Sequence, residues 1–285
     1  MKTVHTVSDL RAELQPHRDA GARIALVPTM GNLHPGHLAL VEEARKQADI
    51  VVTSIFVNPL QFGPNEDLDS YPRTLAEDQE KLESRGNDLV FAPNVREVYP
   101  NGIEYHTHIT VPVITELHCG ASRPGHFTGV ATVVTLLFNM VQPDLAVFGE
   151  KDFQQLAVIR KLTRDLFLPI EILGVPTYRE SDGLAMSSRN TYLSERDRER
   201  AVRLYQMLCW ARDAIQEGRR DYSTLSDEAV RTLDSEGFHP DYFNIVNTET
   251  LEPADREDAR ITILAAAWLG QTRLIDNLSL TLDSN

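Results

Sequence analysis

Residues 23–37 read Arg23-Ile24-Ala25-Leu26-Val27-Pro28-Thr29-Met30-Gly31-Asn32-Leu33-His34-Pro35-Gly36-His37. A short apolar run ends at Pro28, and a helix-length stretch opens at Gly36 and continues to residue 48. This is a strand handing over to a helix across a polar turn. The texture recurs along the chain. Runs rich in β-formers at 50–57, 89–92, 145–148 and 170–175 alternate with amphipathic stretches at 74–85, 130–140 and 153–167. Strands that are apolar almost throughout are those buried on both faces, and the βαβα alternation predicts a doubly wound parallel α/β sheet. Ligands of such sheets bind beyond the carboxyl ends of the strands, where the turn at 28–37 falls.

After residue 175 the pattern changes. Residues 194–216 read as one long charged helix, with Ala201, Val202, Leu204, Tyr205, Leu208 and Cys209 at helical spacing. Glu217-Gly218-Arg219-Arg220-Asp221 ends it. A helix at 227–235 and strands at 242–246, 260–267 and 272–276 complete a smaller α+β domain. The expected division is 1–178 and 179–285, joined near 176–183.

The bulk composition narrows the function. The 285 residues carry 28 Lys and Arg against 42 Asp and Glu, a formal charge of −14. Without a long basic run, such a chain is repelled by nucleic acid, so a small-molecule nucleotide is the better partner. No segment approaches the roughly 20 apolar residues that span a bilayer, and Met1–Thr6 has no apolar signal segment behind Lys2. Cys119 and Cys209 belong to no CxxC pair, which leaves neither a disulfide framework nor a cysteine zinc site. A cytoplasmic protein without a membrane partner is expected.

Five stretches carry groups suited to chemistry. In Pro28–His37, the helix dipole and unpaired backbone N–H groups suit a phosphate-sized anion. His34 and His37 would donate to phosphate oxygens, transfer a proton or simply shape a turn; no neighbouring acid or third histidine completes a zinc set. Gly149-Glu150-Lys151-Asp152 lies at another strand–helix junction, with Lys151 either facing a ligand or solvated. Met186-Ser187-Ser188-Arg189 offers two hydroxyls and a guanidinium for phosphate oxygens, or a simple turn. Asn58 and Gln61 suit uncharged recognition of hydroxyl or carboxylate. Arg123 and His126, in a glycine-bracketed loop, either bind an anion or order the loop.

Together the stretches PTMGNLHPGH, SIFVNPLQF, SRPGHFTGVATVV, DLAVFGEKDFQQL, DGLAMSSRN and AAAWLGQTRLIDN closely resemble the pantothenate synthetase (pantoate–β-alanine ligase) family in order and spacing. The resemblance runs from about residue 23 to 277. The histidine turn is similar to the HIGH signature of a wider nucleotidyltransferase superfamily, and Met186–Arg189 to its KMSKS-type loop. The resemblance implies a Rossmann-like first domain, a smaller C-terminal lid domain and a homodimer. It also implies ATP-dependent joining of (R)-pantoate and β-alanine through a pantoyl-adenylate, with Mg²⁺.

Carried over by position, ATP would contact Met30, Gly31, Asn32, Leu33, His34, Pro35, Gly36 and His37. It would also contact Gly149, Glu150, Lys151 and Asp152, backbone near Tyr178, and Met186, Ser187, Ser188 and Arg189. Gln61 and Gln155 would hold pantoate, with Asn58 and Arg123 as further substrate contacts. His37 would donate a proton, with His34, Lys151, Ser187, Ser188 and Arg189 completing the catalytic set. No protein metal ligand is implied. One departure is visible: Cys119 stands where the family usually has Glu.

Overall fold

Six parallel strands build the first sheet: β1 (Lys2–Val4), β2 (Ile24–Thr29), β3 (Ile50–Ile55), β4 (Leu89–Phe91), β5 (Leu145–Gly149) and β6 (Glu171–Val175). Their order is β1-β4-β3-β2-β5-β6. This computed structural model describes residues 1–64, 66 and 68–282. Within β2 successive side chains enter opposite cores: Ile24 and Leu26 join one apolar cluster, Ala25 and Val27 the other. All four are fully buried. This two-sided burial is why the strand reads as an unbroken apolar run.

Helices cover both faces. α1 (Val7–Asp19), α4 (Val95–Val98) and α6 (His126–Val141) supply Leu10, Leu14, Val98, Val130, Val134 and Phe138 to the cluster around Leu26. On the opposite face α2 (Pro35–Gln47) and α3 (Leu75–Glu83) place Leu38, Val41, Ala44 and Leu82 against Ala25 and Val27. α7 (Phe153–Asp165) adds Leu156 and Ile159 to the first cluster. The doubly wound parallel sheet expected from the sequence is present.

The chain divides into two units. One comprises Met1–Thr115, Arg123–Glu150 and Gln155–Pro176; the other comprises Glu116–Ser122, Lys151–Gln154 and Thr177–Asn285. The short helix α5 (Cys119–Ser122) belongs to the second. There an antiparallel sheet of β7 (His239–Asn247), β8 (Arg260–Leu269) and β9 (Thr272–Thr281) packs with α9 (Arg203–Gln216) and α10 (Tyr222–Ser235) around Leu204, Leu208, Leu225, Leu233, Phe243 and Ile263.

The structure differs from the sequence pattern in both units. The helix expected over 194–216 is two helices, α8 (Glu195–Ala201) and α9, interrupted at Val202, whose N–H turns to the Arg200 carbonyl. α10 begins at Tyr222, not 227, because Tyr222 and Leu225 already belong to its buried stripe. β1 and α1 lie in a segment the pattern left unassigned: β1 buries only Val4, and α1 buries only Leu10 and Leu14. Among the described residues no helix is long and apolar enough to cross a membrane.

Candidate active site

β2 pairs with β3 on one side and β5 on the other, so the chain's winding reverses between β2 and β5. A crevice outside the carboxyl ends forms at such a switch point. Two predicted segments of the first unit follow those two strand ends: Met30–His37 after β2, and Gly149–Glu150 at the end of β5.

The turn after β2 is built by its backbone. Gly31 and Asn32 both have left-handed φ, +82° and +51°. Asp78, fully buried on α3, accepts the Asn32 and Leu33 N–H groups at 2.9 and 2.8 Å. Thr74 Oγ1 donates to the same carboxylate at 3.1 Å, and Lys81 Nζ donates to the Leu33 carbonyl at 2.9 Å. A helix two elements away therefore grips both donors and an acceptor of the loop. Asp78 and Lys81 escaped the sequence reading because an acid–lysine spacing on a helix looks like a solvated face.

The histidines cap the helix that they precede. His34 is the N-cap of α2, and its Nδ1 accepts the Gly36 N–H at 3.1 Å. His37 Nδ1 accepts the His34 N–H at 3.3 Å. The rings lie 4.0 Å apart between centroids, tilted by 33°. An Nδ1 that accepts from a backbone amide carries no proton, so each neutral ring bears its proton on Nε2. The two side chains are thus a tautomer-fixed pair of Nε2–H donors at a helix N-terminus. Among the described residues no three His, Cys, Asp or Glu side chains gather to hold a metal.

The loop after β3 positions Gln61. Asn58, 1% exposed, accepts from Tyr99 Oη at 2.7 Å and from the Leu60 N–H at 3.3 Å. Its amide donates to Gly129 O at 3.1 Å and Gln61 Oε1 at 3.2 Å. Burial pushes the Tyr99 phenol up, keeping it a donor. Gln61 Nε2 in turn approaches Met30 Sδ at 3.0 Å. The loop rests on α6 so closely that a Cβ on Gly129 would stand 2.3 Å from the Leu60 carbonyl oxygen. Only glycine fits there.

Arg123 and His126 are both tied to the loop that carries Gln61. Arg123 forms a two-point bond to Glu66, at 2.7 and 2.6 Å, while its Nη1 meets His126 Nε2 at 3.0 Å. His126 Nδ1 donates to the Gln61 carbonyl at 2.8 Å. Burial alone would raise the Glu66 carboxyl, but the Arg123 guanidinium outweighs it and holds the group below its ordinary value. Asn58 and Arg123, expected as substrate contacts, each hydrogen-bond Gln61, at its side chain and its carbonyl respectively. Gln155 is half-buried on the first turn of α7.

The remaining predicted residues belong to the second unit. Lys151 is 20% exposed, with its ammonium 3.9 Å from Asp152. A small hairpin bridges Arg179 to Ala185, and the Met186 N–H donates to the Tyr178 carbonyl at 2.9 Å. It leads into a 3-10 turn at Ser188–Tyr192, which Ser187 Oγ caps by accepting the Arg189 N–H at 3.3 Å. Asn190 ties that turn back, donating to the Ala185 carbonyl at 3.1 Å. Cys119 is buried with its thiol 3.0 Å from Tyr242 Oη and 3.5 Å from the Arg273 guanidinium, which pairs with Asp241 at 2.8 Å. Arg273 therefore has an acidic partner in Asp241.

Known proteins share this chain over nearly its full length. A family model described as pantoate-beta-alanine ligase matches residues 2–279. A pantothenate synthetase of Marinobacter nauticus is 63% identical over 281 residues, 99% of this chain and 100% of that protein. Another, from Hahella chejuensis, is 62% identical over 282 residues, again 99% of this chain and 100% of that one. Among solved structures, a pantothenate synthetase from Thermus thermophilus matches with a TM-score of 0.91 and 48% identity, covering 98% of this chain and 99% of that one. A pantoate-beta-alanine ligase from Francisella tularensis, complexed with beta-gamma ATP and β-alanine, matches with a TM-score of 0.80 and 34% identity, covering 98% and 97%.

Proposed function

The chain belongs to the pantoate–β-alanine ligase family, and from that membership we infer that it condenses (R)-pantoate with β-alanine, converting ATP to AMP and pyrophosphate. A carboxylate is a poor acyl donor because oxide would have to leave. Attack of the pantoate carboxylate on the α-phosphorus expels pyrophosphate and gives a pantoyl-adenylate. The β-alanine amine then attacks the acyl carbon, and AMP leaves. No protein nucleophile is required, so the residues must align reactants and stabilise charge as it builds on phosphate oxygens.

In the structure this reading is supported by His34 and His37 at the N-terminus of α2, whose Nδ1 atoms accept backbone N–H groups and leave Nε2–H as each ring's donor. For either neutral ring to become an imidazolium, Nδ1 would have to take a proton and release its backbone N–H. Hydrogen-bond donation to developing phosphate charge therefore suits this geometry better than proton transfer by His37. Met30–Leu33, Pro35, Gly36, Gly149 and Glu150 are assigned to the nucleotide alongside them. Gln61 and Gln155 are assigned to pantoate, with Asn58 and Arg123 aiming Gln61. On the second unit Lys151, Asp152, Tyr178, Met186, Ser187, Ser188 and Arg189 keep their family assignment to ATP, and residues 179–285 keep that of a lid. Mg²⁺ is assigned to ATP as its counter-ion, neutralising phosphate charge. A cytoplasmic homodimer completes the proposal.

The deciding assay supplies ATP, pantoate and β-alanine, omits each in turn and follows AMP. Free AMP that depends on all three is expected. A product that retains the nucleotide would replace the ligase reading with that of a nucleotidyltransferase.

A further inference from the structure

The second unit holds a buried polar knot on β9 to which none of the proposed roles assigns a purpose. Asp276 and Asn277 are 5% and 7% exposed. The Asp276 carboxylate takes the Arg179 guanidinium at two points, 2.7 Å from Nη1 and 2.9 Å from Nη2. Arg179 stands 3.7 Å over the Tyr205 ring, and its Nη1 also donates to the Gly183 carbonyl at 3.1 Å. It therefore grips the hairpin at its bridge to Ala185 and at its turn, just before Met186–Arg189. The neighbouring Asn277 amide donates to the Lys151 carbonyl at 2.9 Å. Consecutive residues of one strand thus hold the backbones of two segments far apart in sequence.

Stability alone does not account for this arrangement. Apolar residues of similar volume usually serve a core as well as a buried ion pair does, and a half-satisfied pair is costly. Burial raises the Asp276 carboxyl while Arg179 opposes it, so the pair exists against a desolvation penalty. What the knot provides is direction: a forked guanidinium bond fixes orientation as well as distance. An asparagine that bonds a remote carbonyl fixes a backbone that no strand pairing reaches.

We propose that Asp276 and Asn277 are positioning residues that set Lys151 and the Met186–Arg189 turn in one fixed register for adenylate formation. Asn277 acts through Lys151, and Asp276 acts through Arg179 on the hairpin. The proposal rests on the ligase reading and deepens it with two buried residues of β9.

A double-mutant cycle followed by single-turnover release of pyrophosphate tests it. Asn277→Ala should slow adenylation by about 10- to 100-fold, the cost of a small misplacement of a reacting group. ATP affinity should change by less than about 3-fold, because a positioning loss falls on the chemical step. In a Lys151→Ala background the same change should cost less than about 2-fold, since residues acting as one unit are not additive. Arg179→Lys should likewise lose its effect in an Arg189→Ala background. Equal losses in both backgrounds, or none in either, would overturn the proposal and leave only a packing role. If Asn277→Ala does not fold, Asn277→Asp keeps the shape, removes the N–H donors and carries the same cycle. A wild-type enzyme that forms no AMP from the three substrates would refute the ligase reading itself; an active wild type with an unaffected Asn277→Ala would refute the positioning alone.

Discussion

The histidine turn of the first unit and the Met186–Arg189 turn of the second are held by different balances of the same means. In the first, the functional side chains also fold the loop: both Nδ1 atoms cap the helix, and the buried Asp78 binds the backbone ahead of them. In the second, Ser187 Oγ also caps its turn, but most of the fixing groups stand beside the residues proposed to act. Arg198 pairs with Glu180 at 2.6 Å and Asp182 at 2.7 Å on the partly exposed hairpin, while Asp276 anchors Arg179 from beneath. The first arrangement ties side-chain chemistry to local folding. The second puts more of its geometry in supporting residues, with Ser187 alone capping the turn from within the set proposed to act.

The largest expected effect tests the first half of that contrast. His37→Ala should lower the adenylation rate by about 10²–10³-fold, as for losing one preorganised donor to a developing oxyanion. Near-normal pyrophosphate release in a single turnover would break the link between the cap and catalysis. A smaller and more direct test compares supports. Asp78→Ala leaves two backbone N–H groups and Lys81 without their buried carboxylate, and should cost about 2–4 kcal/mol in urea unfolding. Arg198→Ala removes two partly exposed pairs and should cost less than about 1 kcal/mol. Equal losses would erase the distinction between the two turns.

The smallest effect concerns acid. His118 Nε2 donates to the Leu251 carbonyl at 2.8 Å while Nδ1 accepts from Asn244 at 2.9 Å, both within the second unit. Burial lowers its pKa, against the raising influence of Leu251. The unfolded chain therefore binds more protons below the ordinary value of 6.5, so stability is full above that pH and falls as the solution is acidified through it. Thermal unfolding from about pH 8 down to 5 should show a shallow decline that His118→Gln flattens, since only a group titrating in that range produces it. Parallel curves for the two proteins would assign the slope elsewhere.

The sheet was legible wherever burial on both faces wrote itself into the composition, as in Ile24–Val27 and Leu145–Phe148. It was not legible in Lys2–Val4, an edge strand with one buried residue, nor at Val202, where an unbroken apolar stripe hides a break in hydrogen bonding. The site divides in the same way. His34, His37, Gln61 and Lys151 announced themselves by residue type beside glycine and proline. Asp78, Glu66 and Asp276 did not, because a carboxylate is read as solvent-facing until a remote backbone or guanidinium covers it. Their partners lie between 45 and 97 positions away in the chain, beyond any local pattern.

The doubly capped histidine turn also says what kind of inhibitor it will admit. With both Nδ1 atoms taken by backbone N–H groups and the rings 4.0 Å apart, the nucleotide role proposed for the turn makes Nε2–H the donor of each ring and lone pairs its partner. A sulfonyl, sulfamate or carboxylate group satisfies that demand; an amine or amidine head group meets donors with donors. Selectivity for this turn should therefore follow the number and spacing of acceptors on a compound as well as its negative charge.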